Sequence, residues 1–341
     1  MKLPSLKLKD KFQKERFSVG LDIGTATIKL VKLKFFKDTV ELCGFELEPI
    51  PLELEPVLKK IAQSQDARVV NIAVCGPAAI IRYVNFPRMN EEELRQALKF
   101  EAEKYIPFAL SEVNLDSNIL KRDLPDNKML VLLAAVKKDF VNQRLKLIES
   151  CGLTVRLIDI DSIALINAFN YNYAQDELAR SKAIALLNIG ASLSNLNILE
   201  NSIPKLSRDI HIATSNILQK LADLSQIDLK AAEQLIINPE PGKSDKVNLA
   251  IETVLSGLAK EIRASFDYYE SQGASNVAKI FLSGGGGLYG GLKDILANLL
   301  GMEIEHWDPL KQLTIADTVS AEKVKPLAGQ LAVAFGLALR Q

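Results

Sequence analysis

A net charge is the first thing this 341-residue chain lacks: 42 Lys and Arg residues balance 42 Asp and Glu. The strongly basic balance of a nucleic-acid binder is therefore missing. Cysteine is scarce, and Cys43, Cys75 and Cys151 lack the close paired spacing of a zinc site or a disulfide framework. A reducing, cytoplasmic setting is expected. No window of 18 apolar residues is free of charge and no apolar leader opens the sequence, so neither a membrane span nor a secretory signal is predicted. The two histidines, His211 and His306, stand far apart with no cysteine cluster beside them, which argues for structural or surface roles rather than metal ligation. Ser283 lacks the G-x-S-x-G setting of a hydrolase nucleophile. There is no P-loop of the form GxxxxGKS/T, and GGGGLYGG does not follow an opening strand as the dinucleotide fingerprint requires.

What is present is ordinary globular material, 48% hydrophobic and 25% charged. At about 150 residues per domain the length predicts two domains. Charge is uneven only at the start, where Lys2, Lys7, Lys9, Lys11, Lys14 and Arg16 face Asp10 and Glu15, with Leu3, Leu6, Leu8, Phe12 and Phe17 interleaved. Such a segment either lies on an anionic membrane face or is a solvated tail; Pro4 and its shortness favour the tail.

From Phe17 the pattern turns to strands. FSVGLDIGTATIKLVKLK reads as a hairpin with an acid at its turn, VELCGFELEPI as a third strand, EPVLKKIAQSQ as a helix and ARVVNIAVCGP as a strand. Asn90 caps a helix whose first turn carries Glu91, Glu92 and Glu93, and Pro107 ends it. Tyr105, Ile106, Pro107 and Phe108 read either as a groove lip or as a helix stop with core aromatics, the second being favoured. NLDSNILKR, a turn, MLVLLAAVK and a helix from Asp139 to Cys151 closed by Gly152 complete a compact α+β segment over 78–155. A strand and helix (LTVRLIDIDSIALINAF) lead to a second hairpin. LNIGASLSNLN (187–197) aligns without a gap with LDIGTATIKLV (21–31), matching Leu, Ile and Gly. Its place at the head of each half indicates duplication. A long helix, a buried strand, a four-glycine turn and a closing Ala/Gly-rich helix follow.

Three glycine turns carry the chemistry: Asp22 to Thr27, Asn188 to Ser192, and Ser283 to Gly287. Glycine lets backbone N–H groups approach an anion, hydroxyls add donors, and a following helix N-terminus adds a favourable dipole. One such turn is usually only a turn; two related hairpin turns plus a third between strand and helix point to phosphate held between two lobes.

These turns, in this order, resemble the actin-like ATPase superfamily. Within it VGLDIGTATIKLVKL, LRQALKFEAEKYIPFALSEVNLDSNIL, VLLAAVKKDFVNQRLKLIESCGL, LIDIDSIALINAF, ALLNIGASLSNLNIL, IPKLSRDI and IFLSGGGGLYGGLKDIL resemble the PilM family of type IV pilus assembly, itself similar to the division protein FtsA. The resemblance implies an α/β, duplicated actin-like (ribonuclease H-like) two-lobed fold with an FtsA/PilM-type α+β insert in the first lobe. The expected boundaries are a basic tail at 1–16, a first lobe at 17–77 and 156–180, the insert at 78–155, and a second lobe at 181–341 with a subdomain at about 210–260.

By the same resemblance the cofactors are ATP and Mg²⁺. Asp22 would face the metal through water; Gly24, Thr25, Ala26 and Thr27 would wrap the phosphates, as would Asn188, Gly190, Ala191 and Ser192 from the other lobe. Gly284, Gly285, Gly286 and Gly287 would approach the adenosine, Glu233 the ribose, and Asp161 would orient water. Asn188 departs from the Asp common in the superfamily. A neutral amide cannot take a proton, so binding is favoured over brisk hydrolysis, unless the residue is only a hydrogen-bonding turn residue. The implied function is a nucleotide-binding adaptor holding the cytoplasmic N-terminal peptide of a PilN-like inner-membrane protein in a groove between first lobe and insert. Pilus motor ATPases and self-association are further partners to consider, with nucleic acid excluded and the membrane reached only peripherally. The alternatives are an FtsA-like membrane-tethered filament protein and a small-molecule kinase of the same fold.

Overall fold

The computed structural model describes residues 15–37, 39–238, 244–273 and 275–341; most of the expected basic tail, residues 1–14, lies outside them. An antiparallel meander, β1 (Arg16–Ile23), β2 (Thr27–Phe36) and β3 (Thr39–Pro49), leads through α1 (Leu54–Ser64) to β4 (Val69–Val74). Next come β5 (Ala79–Pro87), α2 (Glu91–Glu101), β6 (Val113–Leu124) and β7 (Lys128–Lys137), then α3 (Lys138–Ser150), β8 (Thr154–Ile160), α4 (Asp161–Tyr173) and α5 (Glu177–Ser181). The second half repeats the meander as β9 (Ala183–Ile189), β10 (Ser194–Glu200) and β11 (Ile203–Ile210), followed by α6 (Thr214–Ser225), α7 (Leu229–Ile237) and α8 (Ser244–Glu270). It closes with β12 (Val277–Ser283), α9 (Leu292–Leu300), β13 (Ile304–His306), β14 (Thr314–Ile315), α10 (Ala321–Val324) and α11 (Ala332–Ala338).

The described strands form three sheets, in the orders β14-β3-β2-β1-β4-β8, β11-β10-β9-β12-β13 and β5-β7-β6. The two larger sheets are built alike: an antiparallel meander whose first strand pairs in parallel with a later strand, β1 with β4 and β9 with β12. Their leading turns close with equivalent bonds, Gly24 N–H donating to the Thr27 carbonyl at 3.1 Å and Gly190 N–H to that of Leu193 at 2.9 Å. Duplication of sequence is therefore duplication of structure.

Local signals behave as their chemistry dictates. The Asn90 side chain accepts from Glu93 N–H at 2.9 Å while the Glu93 carboxylate accepts from Asn90 N–H at 2.8 Å, a reciprocal cap worth about 1 kcal/mol. Gly152, at φ 78°, ends α3 as its position predicts.

Two expected boundaries move. The small sheet has its own core of Phe86, Leu94, Leu98, Met129, Val131 and Leu133, but its last strand ends at Lys137. Ile148, Cys151 and Leu153 pack instead with Val19, Leu21 and Leu58, so α3 is a helix of the first sheet and the insert does not reach 155. Nor does the second lobe run to 341. β14 pairs with β3, and α11 is seated on the first lobe, where a Cβ on Gly336 would overlap the Ala164 carbonyl of α4 and one on Gly20 would overlap that of Ala334. Only glycine permits these approaches. The closing Ala/Gly stretch is also less helical than expected, with a 3₁₀ segment over Lys325–Leu331 before α11.

The two halves share a floor. Phe169 of α4 stacks on Tyr173 with centroids 4.8 Å apart and meets Phe281 of β12 at 4.9 Å and Trp307 at 5.4 Å. α4 thereby fixes one lobe against the other and leaves the leading turns facing each other above it.

Candidate functional site

The two hairpin turns touch. Ser192 Oγ donates to Thr25 Oγ1 at 2.6 Å, bringing the predicted phosphate turns of both halves to one point. Asp22, at the end of β1, pairs with Lys29 of β2 at 3.1 Å, directly opposite it in the ladder. In the second half the turn is tied to the helix that follows: Thr214 N–H donates to the Gly190 carbonyl at 3.2 Å and Ser215 N–H to that of Ala191 at 2.9 Å. The first N–H groups of α6 are thus spent on the Gly190 and Ala191 carbonyls, which seats the turn on the helix N-terminus with the helix dipole behind it.

The third turn meets the second. Ser283 Oγ donates to Asn188 Oδ1 at 3.1 Å, across the parallel pair of β12 and β9. Gly284 holds φ at 90°, and a Cβ there would overlap the backbone of Ile189; one on Gly286 would overlap the Ile189 side chain. These two glycines are demanded by packing alone. Gly285 and Gly287 have looser surroundings, Gly287 facing the His306 imidazole. Glu233 on α7 lies within electrostatic reach of Tyr289, just past this turn; burial pushes the Tyr289 phenol up, and the Glu233 charge adds to the effect.

Asp161 opens α4 on the floor, with Oδ1 accepting from Ser162 N–H at 2.8 Å. Burial holds its carboxyl well above the usual range, and the charges of Asp209 and Asp22 push it further. Asp22 and Asp209 therefore lie close enough for their charges to act on Asp161. Among the described residues there is no cluster of three or more His, Cys, Asp or Glu able to hold a metal by themselves. Any Mg²⁺ here would have to be held largely by phosphate oxygens and waters, since Asp22 is paired with Lys29.

Asp209 is the member that sequence reasoning missed. It accepts from Gly76 N–H at 3.0 Å across the halves and from the Asn195 amide opposite it. One ladder step away Ser207 donates to Asn197 Oδ1 at 2.6 Å and meets the Tyr83 hydroxyl of β5 at 2.8 Å. The readable signal is the pairing of N-x-N (195–197) with S-x-D (207–209), polar side chains at strand period that face one another across the ladder.

Beside this ladder a cavity of about 330 Å³ runs between β5, Pro107 and Phe108 on one side and Ser207, Asp209 and His211 on the other, with Ile160 and Ser162 at its base. Pro107 and Phe108 therefore do form a lip, whereas Ile106 is buried and Tyr105 packs on Phe86 at 5.7 Å.

Two duplicated lobes on a common floor, with paired hairpin turns facing each other and a glycine turn alongside, define an actin-like protein. A crystal structure of ethanolamine utilization protein EutJ from Carboxydothermus hydrogenoformans shares this fold, with a TM-score of 0.56 at 12% identity over 96% of this chain and 90% of that one. The model of the family "Type IV pilus assembly protein PilM" matches residues 20–341, and the chain belongs to that family. Consistent with this, the structure described as a "PilM-PilN type IV pilus biogenesis complex" superposes with a TM-score of 0.83 at 26% identity, covering 95% of this chain and 98% of that one. No helix of the described residues is long and apolar enough to cross a membrane.

Proposed function

We propose that this chain is a nucleotide-loaded adaptor of type IV pilus assembly. It binds ATP with Mg²⁺ between the lobes and holds the cytoplasmic N-terminal peptide of a PilN-like inner-membrane protein in the groove walled by β5, Pro107 and Phe108. The observation that carries the reading is the meeting of Thr25 and Ser192 at 2.6 Å, which brings a hydroxyl from each half to the point where a phosphate chain would enter, with the dipole of α6 behind the second turn. Gly24 to Thr27 would take the phosphates from one side and Gly190 to Ser192 from the other, with the glycine turn and Glu233 toward the nucleoside. Mg²⁺ would supply charge neutralisation for the phosphates.

Turnover is slow in this reading. Asn188 is neutral and engaged with Ser283, and a carboxyl raised by burial, as Asp161 is, carries a proton more readily than it removes one from water. The groove is apolar at Phe108 and Ile160 and open along the β5 edge, which suits an extended peptide.

A thermal-unfolding titration with Mg-ATP, with phosphate release followed in the same samples, tests it. Ligand at 100 times its dissociation constant stabilises by about 2.7 kcal/mol. Stabilisation with little release supports the adaptor, rapid release makes the protein a working ATPase, and no stabilisation at millimolar ATP overturns the nucleotide reading.

A further inference from the structure

One short loop stands between the cleft and the groove. Residues 75–78 join β4 to β5, and Gly76 and Pro77 line the groove together with Ser207 and Asp209 of β11. Gly76 is buried with φ at 79°, and a Cβ built on it would stand 3.6 Å from Leu193 Cδ1. Leu193 closes the second hairpin turn by accepting from Gly190 N–H at 2.9 Å. The loop thus meets the groove on one side and that turn on the other.

Asp209 fixes the loop in place. Its Oδ2 accepts from Gly76 N–H at 3.0 Å, across the halves, and its other oxygen accepts from the Asn195 amide. Asn195 is buried and faces Asn188 in the ladder of β9 and β10, and Asn188 accepts from Ser283 of the glycine turn at 3.1 Å. Beyond Gly76 the chain has little slack. The Gly76 carbonyl accepts from Ala79 N–H, where β5 begins, at 3.0 Å, and Lys137 N–H of β7 donates to the Ala78 carbonyl at 2.9 Å. A shift of Gly76 therefore moves the start of β5 with it.

We propose, resting on the functional reading above, that Asp209 is a positioning residue linking the two sites, so that an extended peptide in the groove and Mg-ATP between the lobes each tighten the binding of the other. A peptide packed along β5 holds Gly76 and Pro77 against Asp209 and Leu193, while phosphates in the second turn hold Leu193 from its other side. Whichever ligand binds first orders the shared wall, and the second meets it already ordered. Such coupling is reciprocal: peptide lowers the nucleotide dissociation constant by the same factor as nucleotide lowers that of peptide.

The test titrates the full chain with a fluorescently labelled synthetic PilN-type N-terminal peptide and with the Mg²⁺ complex of ADPNP, an imido analogue of ATP, each alone and each with the other saturating. In the wild type both dissociation constants should fall at least about fivefold, and by the same factor. In Asp209→Ala each ligand alone should bind within about threefold of wild type, while the coupling factor drops below about twofold. A merely structural Asp209 would instead weaken each ligand alone and leave the factor unchanged. If the Ala variant does not fold, Asp209→Asn carries the test, because its single oxygen replaces only one of the two carboxylate acceptors; the factor should then fall at least about twofold. The proposal is overturned if the two ligands bind the wild type independently, or if the Asp209 variant that folds keeps the wild-type factor. Failure of the nucleotide or of the peptide to bind alone overturns the functional reading itself, and this linkage with it.

Discussion

Replacing Asp161 by Asn removes a carboxyl held well above its usual range by burial and by the charges of Asp209 and Asp22. The folded protein holds this proton more tightly than the unfolded chain, whose Asp titrates near 3.8. The favourable contribution is full below that value and is lost as pH rises through the folded pKa, at up to about 1.4 kcal/mol per pH unit. An amide keeps the oxygen that accepts from Ser162 N–H and carries no charge. The variant should therefore lose that part of the slope and be more stable than wild type at pH 8 by about 1–3 kcal/mol, the range for a buried group left uncompensated. Urea-unfolding free energies of both proteins at intervals from pH 4 to 8 supply the measurement. Their difference cancels the contribution of Asp159, which burial also raises. A difference that stays flat with pH, or a variant less stable at pH 8, refutes the electrostatic account of the floor. If Asp161 orients a water, the same variant should release phosphate at least about tenfold more slowly while Mg-ATP still stabilises it.

Other consequences are simpler. Gly336→Ala places a methyl group against the backbone of α4, which cannot yield as a side chain would; a loss of about 3 kcal/mol is expected, read as a lower urea midpoint at unchanged slope. Thr25→Ala and Ser192→Ala each remove one hydroxyl of an exposed pair, so stability without ligand should change by less than about 0.5 kcal/mol. Each should raise the Mg-ATP dissociation constant about tenfold, the worth of one hydrogen bond to a charged group. Phe108→Ser removes the apolar lip of the groove and should weaken binding of a synthetic PilN-type N-terminal peptide at least about tenfold in a fluorescence titration, with nucleotide affinity unchanged.

Much of this was legible in local pattern. The leading hairpins announce themselves by alternation around a small turn, and Asn90 with Glu93 by spacing, because a few neighbouring residues decide each. What was not legible depends on residues far apart in sequence. Nothing near Gly336 tells that its partner is Ala164, and nothing near Ile148 tells that it joins Val19 rather than the adjacent small sheet. Asp209 belongs to the same class: its role comes from Gly76 and Asp161, which are distant in sequence and meet only when the halves close on α4.

The duplication itself explains how the two turns came to differ in chemistry. In the first hairpin Asp22 and Lys29 face each other across the ladder and pair. The aligned positions of the second are Asn188 and Asn195, which also face each other, yet neither bonds the other. Asn188 accepts from Ser283 of the glycine turn, and Asn195 donates to Asp209. An ion pair satisfies itself within its own hairpin; two amides leave capacity for outside partners, and here those partners are the glycine turn on one side and the strand that contacts the first lobe on the other. An amide at position 188 leaves no base there, while Asn188 and Asn195 tie the second hairpin to the glycine turn and to β11. In the adaptor proposed above, these two connections would fix the geometry of the second hairpin without a base beside the phosphates.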